Sequence, residues 1–139
     1  MVVAEKLEYK APSHMAEAGA APAIVSAAPL IGTWKNVNPS TRDIVQVVIA
    51  ASGSGISVTL YGACSPTPCN WGTVAGTPYA ASVSSSPAVA FSAQYGLSFA
   101  QVVVVGHHNG KHLTIQTFTN FTDGSGRSNM YTTDQLAKS

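Results

Sequence analysis

The amino-acid sequence predicts an all-β fold: an antiparallel, eight-stranded, up-and-down barrel preceded by an N-terminal arm. From Ile31 onward, short runs rich in β-branched and aromatic residues alternate with clusters of Gly, Asn, Ser and Pro, which is typical of strands joined by tight turns. No convincing helix lies between these runs. Charged residues make up only 9% of the chain. Because so few charges are available to protect open sheet edges, closure into a barrel is favoured.

The predicted strands follow one another between turn signals. Their ranges are 31–37, 43–51, 56–63, 71–75, 78–83, 88–95, 98–108, 111–121 and 129–134, which makes eight or nine strands. A length of 139 residues is typical of a single domain. We therefore divide the chain into an arm or lid over residues 1–30 and a barrel domain over residues 31–139.

The arm has a composition of its own. Residues 11–30 are rich in Ala and Pro, and five of the charged residues of the chain come before residue 30. A helix of one or two turns is predicted near Ser13–Ala21, with Ser13 as N-cap and Glu17 in its first turn. Three roles stay open for the arm: a flexible extension, a lid on the barrel, or a strand donated to a neighbouring subunit.

Charge and composition exclude some classes of partner. The net charge is +1, and no two Lys or Arg residues are adjacent, so no nucleic-acid partner is predicted. No apolar run reaches the ~20 residues that span a bilayer, so no membrane partner is predicted. Glu5 and Lys6 interrupt the N-terminal apolar stretch. We expect a cytoplasmic protein from the sequence as written, or a secreted one if a signal peptide has been removed.

The first hairpin that can be registered runs over residues 43–63 and turns at Gly53-Ser54. Its apolar face pairs Ile49 with Val58, Val47 with Leu60 and Val45 with Gly62, and its mixed face pairs Gln46 with Tyr61 and Val48 with Thr59. One face of this hairpin is therefore wholly apolar.

The second hairpin contains three of the four histidines, in GHHNGKH over residues 106–112. Asn109-Gly110 predicts a two-residue type I′ turn, which places His108 opposite Lys111 and His107 opposite His112. His107 and His112 could share a metal ion, but a third ligand is lacking, so no metal site is predicted. His107 is the candidate catalytic or ligand-binding group, because a neutral imidazole suits proton transfer. An exposed position at the barrel rim is the alternative.

The sequence leaves open which sheet face lines the barrel lumen. If the mixed face points inward, a ligand cavity is predicted with the lining residues Gln46, Tyr61, Gln101, Gln116, Phe118 and His107. If the apolar face points inward, its valines, leucines and isoleucines fill the barrel, and part of the outer face could then be buried in a homo-oligomer.

Two further groups of residues are candidates at the barrel ends. Cys64 and Cys69 bracket SPTP, and this spacing suits a rigid loop closed by a disulfide in an oxidising compartment. Arg127 follows a tight turn and could clamp a ligand carboxylate or phosphate. Its alternative role is a structural hydrogen bond that closes the barrel end, to turn carbonyls, to Asp43 or to Asp123. Trp71 is a further candidate for ligand contact.

The segment GTWKN, from Gly32 to Asn36, resembles the Gly-x-Trp start of lipocalins and the Gly-Thr-Trp-x-Asn start of avidins, both calycin-type barrels. The resemblance implies that Trp34 packs across one barrel end and that the interior holds a small, mostly apolar ligand. The later tryptophans of the avidin biotin pocket have no counterpart, so biotin is not implied. GTWKNVNPSTRDI, YGACSPTPCNWG and FTNFTDGSGRSNMY together also resemble a small, uncharacterised bacterial β-domain.

Three functions are compatible with these features. The first is a binding module that holds a small, largely apolar molecule in its lumen, with Trp34 among the contacts. The second is an enzyme, a cyclase or isomerase acting on a hydrophobic natural-product intermediate, because such chemistry can rest on orientation and desolvation and leave no motif. The third is a structural or interaction protein that assembles through the arm. No nucleophile elbow, phosphate loop or HExxH motif occurs, and no cofactor is predicted.

Overall fold

The computed structural model describes residues 24–139, all of them in or around one β-barrel. Its eight strands are β1 (Gly32–Asn36), β2 (Ile44–Ser52), β3 (Gly55–Gly62), β4 (Cys69–Ala80), β5 (Ala88–Gly96), β6 (Ala100–His108), β7 (His112–Phe121) and β8 (Met130–Lys138). Each strand pairs antiparallel with the next, and β8 pairs with β1 to close the barrel. The predicted fold class is therefore confirmed. The predicted helix near Ser13–Ala21 and most of the arm lie outside the described residues.

Side chains alternate between the two faces of each strand, and the apolar set points inward. Val47 and Ile49 of β2 and their partners Leu60 and Val58 of β3 are buried. The same holds for Val102, Val104, Leu113 and Ile115 on β6 and β7. Since this face fills the barrel, the mixed face of both registered hairpins lies on the outside.

The described residues include no helix long and apolar enough to cross a membrane.

The predicted strands 71–75 and 78–83 are in fact one strand, β4, which runs through Pro78. Proline has no N–H to donate to a neighbouring strand and is therefore rare inside a sheet. The pairing of β3 with β4 ends at Gly76, so Pro78 has only β5 as a neighbour and pairs there with Phe91. Proline is tolerated at this point because no strand on the other side needs its N–H.

The first hairpin follows the predicted register over most of its length. Val47 pairs with Leu60, Ile49 with Val58 and Gln46 with Tyr61, as predicted. At its far end the register shifts, so that Ile44, not Val45, pairs with Gly62. This irregularity is a β-bulge, which inserts one extra residue into β2 and was not foreseen.

The register predicted for the second hairpin was wrong. His108 pairs with Leu113 and His107 with Thr114, so the loop is longer than two residues. Gly110 has a φ of 96°, but no non-glycine residue has a positive φ in the part of the chain that the structure describes, which rules out a type I′ turn at Asn109. The Asn109 side chain closes the loop instead: its Oδ1 accepts from the N–H groups of Lys111 at 3.0 Å and His112 at 2.8 Å.

One barrel end is plugged by the segment that precedes β1. Leu30 is fully buried, and Val25, Ala27 and Ile31 pack against the core around it. The Trp34 indole is 2% exposed, and its Nε1 donates to Leu30 O at 2.9 Å. We call this the closed end. Part of the sequence assigned to the arm therefore belongs to the barrel core.

In the other half of the barrel, the buried hydroxyl of Tyr95 forms hydrogen bonds with backbone groups of two neighbouring strands. The hydroxyl oxygen accepts a hydrogen bond from the Leu60 N–H at 3.1 Å. The carbonyl oxygens of Val58 and Gly72 both lie 2.9 Å from it and share its single proton. These three groups belong to β3 and β4, where the register shifts between Thr59 and Tyr61. The buried hydroxyl thus satisfies backbone groups at that irregularity. Burial raises the pKa of Tyr95 to about 12.

We expect Tyr95→Phe to lower the free energy of unfolding by about 1–3 kcal/mol, because the buried backbone partners lose their hydrogen bonds. A raised pKa also makes the wild type lose stability as the pH rises from 10.0, where the unfolded tyrosine ionises, towards about 12. The variant should show a smaller loss over that window. Urea denaturation of both proteins at pH 8 and pH 11 measures the two effects.

The matched control for this test is Tyr79→Phe. The Tyr79 hydroxyl bonds to Ser92 Oγ at 2.8 Å, but at an exposed position. Its removal should therefore change the unfolding free energy by less than about 0.5 kcal/mol. Equal effects of the two substitutions would contradict the role given to Tyr95.

Candidate ligand-binding site

The barrel end opposite Trp34 is formed by four connections, over residues 37–43, 63–68, 97–99 and 122–129. We call it the open end, because a cavity of about 720 Å³ lies there. Its residues come from every part of the barrel sequence and include Arg42, Asp43, Ile44, Gly62, Trp71, Leu97, Phe99, Val102, Thr117, Thr119, Phe121, Arg127, Met130 and Thr132. The cavity has the size of a site for one small molecule.

The deepest polar lining of this cavity is a pair of threonines. Thr117 is the buried polar residue of the described core, with 3% exposure. Its hydroxyl bonds to that of Thr132 across the β7–β8 pair. Each hydroxyl has one proton and can also accept. The bond between them uses one proton, so the pair has a second O–H for a ligand.

Trp71 forms a wall of the cavity and is held in place from behind. Its ring packs edge-on against the buried Tyr95 ring, with centroids 5.9 Å apart. Gly62 makes the close approach possible, because a Cβ at that position would come within 2.8 Å of Trp71 Nε1. The indole is thus a fixed, half-buried surface at the cavity.

Arg127 stands at the rim in a fixed orientation. Its Nη2 donates to Asp123 Oδ2 at 2.8 Å, and its Nε donates to Ser125 Oγ at 3.0 Å. The guanidinium lies 4.0 Å from the centre of the Phe121 ring, a cation–π contact. Hydrogen bonds from Ser125, then from Arg127, lower the pKa of Asp123 to about 2. The structural role expected as the alternative for Arg127 is present, and the residue lines the cavity as well.

Two carboxyl groups lie near each other where β8 meets the connection between β1 and β2. Desolvation and then the charge of Asp134 raise the pKa of Asp43, which lines the cavity next to Arg42. Asp134 Oδ1 accepts from Asn36 Nδ2 at 2.9 Å and Thr41 Oγ1 at 3.1 Å. Asp134 thereby ties the connection between β1 and β2 to β8 and shapes the cavity rim.

Cys64 and Cys69 are joined by a disulfide, with their Cα atoms 5.4 Å apart. The bond closes the short loop between β3 and β4, which includes the cis peptide Ser65-Pro66. Both cysteines line the open-end cavity. The disulfide loop is therefore a part of the rim.

The structure separates the predicted ligand-contact residues into three groups. Trp71 and Arg127 line the open-end cavity. Trp34 lies in the core at the closed end, where its neighbours are Leu30 and the Lys138 ammonium, 5.1 Å from the ring centre. The remaining predicted residues, Gln46, Tyr61, Gln101, Gln116, Phe118 and His107, alternate with buried residues and lie on the outer surface.

The three histidines within residues 24–139 do not meet in the lumen. His107 is exposed on the outer face of β6. His108 is fixed at the closed end: its Nδ1 accepts from the Gly110 N–H at 2.9 Å, which leaves Nε2 as donor to Ala88 O at 3.2 Å. Within residues 24–139, no three His, Cys, Asp or Glu side chains come together as a group that could hold a metal ion.

Sequence reasoning missed most of the open-end cavity. Thr117 and Thr132 were unremarkable residues of predicted strands, and Phe99 and Phe121 were unremarkable aromatics. A usable signal existed for Thr117, because it interrupts an otherwise apolar inward series with Leu113 and Ile115. A hydroxyl on an apolar face is a sign of a lined cavity or a buried hydrogen bond.

No family model, curated protein or solved structure significantly matches this chain. The fold itself defines the class of protein. Residues 24–139 form an eight-stranded, antiparallel, up-and-down barrel with one closed and one open end, an architecture consistent with the calycin-like barrels.

Proposed function

We propose that this protein is a lipocalin-like binding barrel that holds one small, largely apolar molecule at its open end. The observation that carries the proposal is the open-end cavity of about 720 Å³, which combines aromatic and aliphatic walls with threonine hydroxyls and with charged groups such as Arg42 and Arg127. Concave sites with such a lining are typical of small-molecule binding. The closed end supports the same proposal, because its packed plug leaves the open end as the approach for a ligand.

The positions of the polar groups favour an amphiphilic ligand. Apolar contact comes from Trp71, Leu97 and Phe121 around the cavity. The Thr117–Thr132 pair offers a hydroxyl at depth, and Arg127 offers a guanidinium at the rim. A molecule with an apolar body and hydrogen-bonding groups at its ends would satisfy this lining.

Side chains fill the barrel interior and leave space for a ligand only at the open end. Val47, Ile49, Leu60 and Val104 fill the centre of the lumen. A ligand would therefore sit in a cup above this core and not pass through the barrel. We infer that the ligand is small and keeps one side towards the rim.

The test is a titration with N-phenyl-1-naphthylamine, an uncharged aromatic probe whose fluorescence rises in apolar sites. We expect saturable binding by the native protein. Thr119→Trp should weaken it about tenfold or more, equivalent to about 1.4 kcal/mol, because Thr119 lines the cavity and a larger side chain would fill it. Asn120→Trp, on the neighbouring exposed position of β7, should leave the affinity within about twofold.

A second measurement separates binding by the native protein from binding by a partly unfolded one. A ligand specific to the folded state raises the melting temperature as its concentration rises. The proposal fails if the native protein shows no saturable binding, or if Thr119→Trp binds the probe as well as Asn120→Trp does.

A further inference from the structure

The outer face of strands β4 to β8 contains three neighbouring rows of side chains, set by the strand register. Row 1 is Tyr79, Ala90, His107, Thr114 and Gln135, row 2 is Thr77, Ser92, Val105, Gln116 and Thr133, and row 3 is Gln94, Val103, Phe118 and Tyr131. All three rows lack Asp, Glu, Lys and Arg. This face is therefore uncharged but rich in hydroxyl, amide and aromatic groups.

Rows 1 and 2 form a depression on this face, which we call the outer groove. Its volume is about 530 Å³. The register explains its shape, because the small Ala90 lies between Tyr79 and His107 along row 1. Ala90 thus forms the floor of the groove in row 1. Ser92 and Val105 form the floor in row 2, next to Gln116. The outer groove is thus a shallow trough with an aromatic wall and an imidazole wall.

The polar groups of the outer groove are held in place. Tyr79 OH bonds to Ser92 Oγ at 2.8 Å, and Gln116 Nε2 donates to Tyr131 OH at 2.8 Å. The Gln116 amide keeps its oxygen and a second N–H for other partners. Since the residues of the outer groove stand on paired strands, the spacing of their backbone positions is set before any ligand binds.

We propose that the outer groove is a second binding site, distinct from the open-end cavity, and that its ligand is a neutral carbohydrate chain. An ionic ligand would find no opposite charge in rows 1 to 3. The acyl chain of a lipid would cover hydroxyl and amide groups of rows 1 and 2 without supplying hydrogen bonds to them. A sugar ring presents hydroxyls that both donate and accept, together with an apolar C–H face that can lie on the Tyr79 ring.

A protein partner fits this groove less well. The buried centre of a protein interface is mostly apolar, whereas rows 1 and 2 are mostly Ser, Thr, Gln and His. Covering these groups with another sheet would remove their water without supplying matched partners, which is costly. The hydroxyl groups of a hydroxyl-rich ligand can take over the hydrogen bonds that water makes with these side chains.

The proposal assigns roles to two residues. Tyr79, with 48% exposure, offers its ring to one sugar face. His107 lies across the floor from it and offers ring nitrogens for hydrogen bonds. The proposal thus gives His107 a role on the outer surface that does not depend on the lumen.

The experiment measures depletion of the full-length protein from solution by insoluble cellulose, chitin and starch, followed by titration with a soluble hexasaccharide of whichever polymer binds. We expect at least one neutral polymer to remove the protein, and the anionic polymer alginate to compete no better than a neutral one. Tyr79→Ala and His107→Ala should each weaken binding about tenfold.

Matched controls come from residues of the same type outside the outer groove. Tyr61→Ala and His112→Ala, both outside the groove lining, should leave carbohydrate affinity within about twofold. All four positions are partly or fully exposed, and circular dichroism checks that each variant is folded.

Three outcomes would overturn the proposal. The first is no depletion by any of the three neutral polymers. The second is an equal loss of binding in the Tyr61→Ala and Tyr79→Ala proteins. The third is a dimer in sedimentation that Tyr79→Ala dissociates, since that result would make the groove a contact between two copies of the chain. Thr119→Trp should bind carbohydrate normally, so this test is independent of the open-end cavity.

Discussion

Trp34→Ala is expected to lower the free energy of unfolding by about 3–5 kcal/mol. The indole is almost completely buried at the closed end, and it supplies both packing area and the hydrogen bond to Leu30 O. Its removal leaves a cavity under the segment that plugs the barrel. For a domain of this size the melting temperature should fall by roughly 10–20 °C, which calorimetry would detect directly.

The control for this prediction is Lys35→Ala, at the next position of β1 with its side chain exposed on the outer face. It should change the unfolding free energy by less than about 0.5 kcal/mol. The Trp34→Ala protein should also bind the naphthylamine probe at a temperature where it is folded, because the open-end cavity is at the other end of the barrel. If Trp34→Ala lowered the free energy of unfolding by less than about 1 kcal/mol, Trp34 would not be a core residue.

Gly106→Ala is expected to destabilise the barrel by at least the usual cost of overpacking, about 1–3 kcal/mol. A Cβ on Gly106 would lie 2.2 Å from Cε2 of Phe91, and the ring is part of the packed core. The Phe91 ring cannot withdraw without displacing its neighbours. Urea denaturation measures the loss.

Two further variants show whether the steric contact is the cause. Gly96→Ala should be nearly neutral, because the nearest atom to its Cβ would be Gln101 Nε2 at 3.5 Å. Phe91→Leu removes the ring atoms that the new methyl group would strike. The double variant Gly106→Ala/Phe91→Leu should therefore lose less unfolding free energy than the two single variants lose together. The difference, which is the coupling energy, should be about 0.5–3 kcal/mol. Simple additivity would contradict the steric explanation.

The sequence was sufficient to predict the barrel because its strongest signals were local. Alternation along residues 43–63 fixed both the strands and most of their pairing, and the inward set of valines and isoleucines is the observed core. The end of the last strand was missed, since β8 continues to Lys138 and not 134. Those final residues have little strand propensity by themselves, and pairing with β1 and β7 keeps them extended.

The errors arose where a side chain, and not the backbone pattern, decides the geometry. The Asn109-Gly110 pair suggested a tight turn, but the Asn109 amide bonds to the backbone beyond it and gives a longer loop. That change moved His107 and His112 out of direct opposition. A side chain that closes a loop by its own hydrogen bonds is a known competitor of the standard turn.

The open-end cavity could not be predicted for a different reason. Arg42, Trp71, Thr117 and Arg127 come from distant parts of the sequence and meet only because the barrel closes. No spacing motif links them. The lumen-facing set also depended on which sheet face points inward, and alternation alone is symmetric between the two faces.

Barrel closure also bears on how this protein should behave when it unfolds. Closure of β8 onto β1 pairs most of the strand edges in the part of the chain that the structure describes, which protects a chain with very few charges against edge-to-edge association. Once the strands separate, the run VVVV over residues 102–105 and its neighbours become uncharged segments of high β-propensity. Heat denaturation should consequently be difficult to reverse, and aggregation, more than the intrinsic stability of the fold, should set the conditions under which the protein can be refolded.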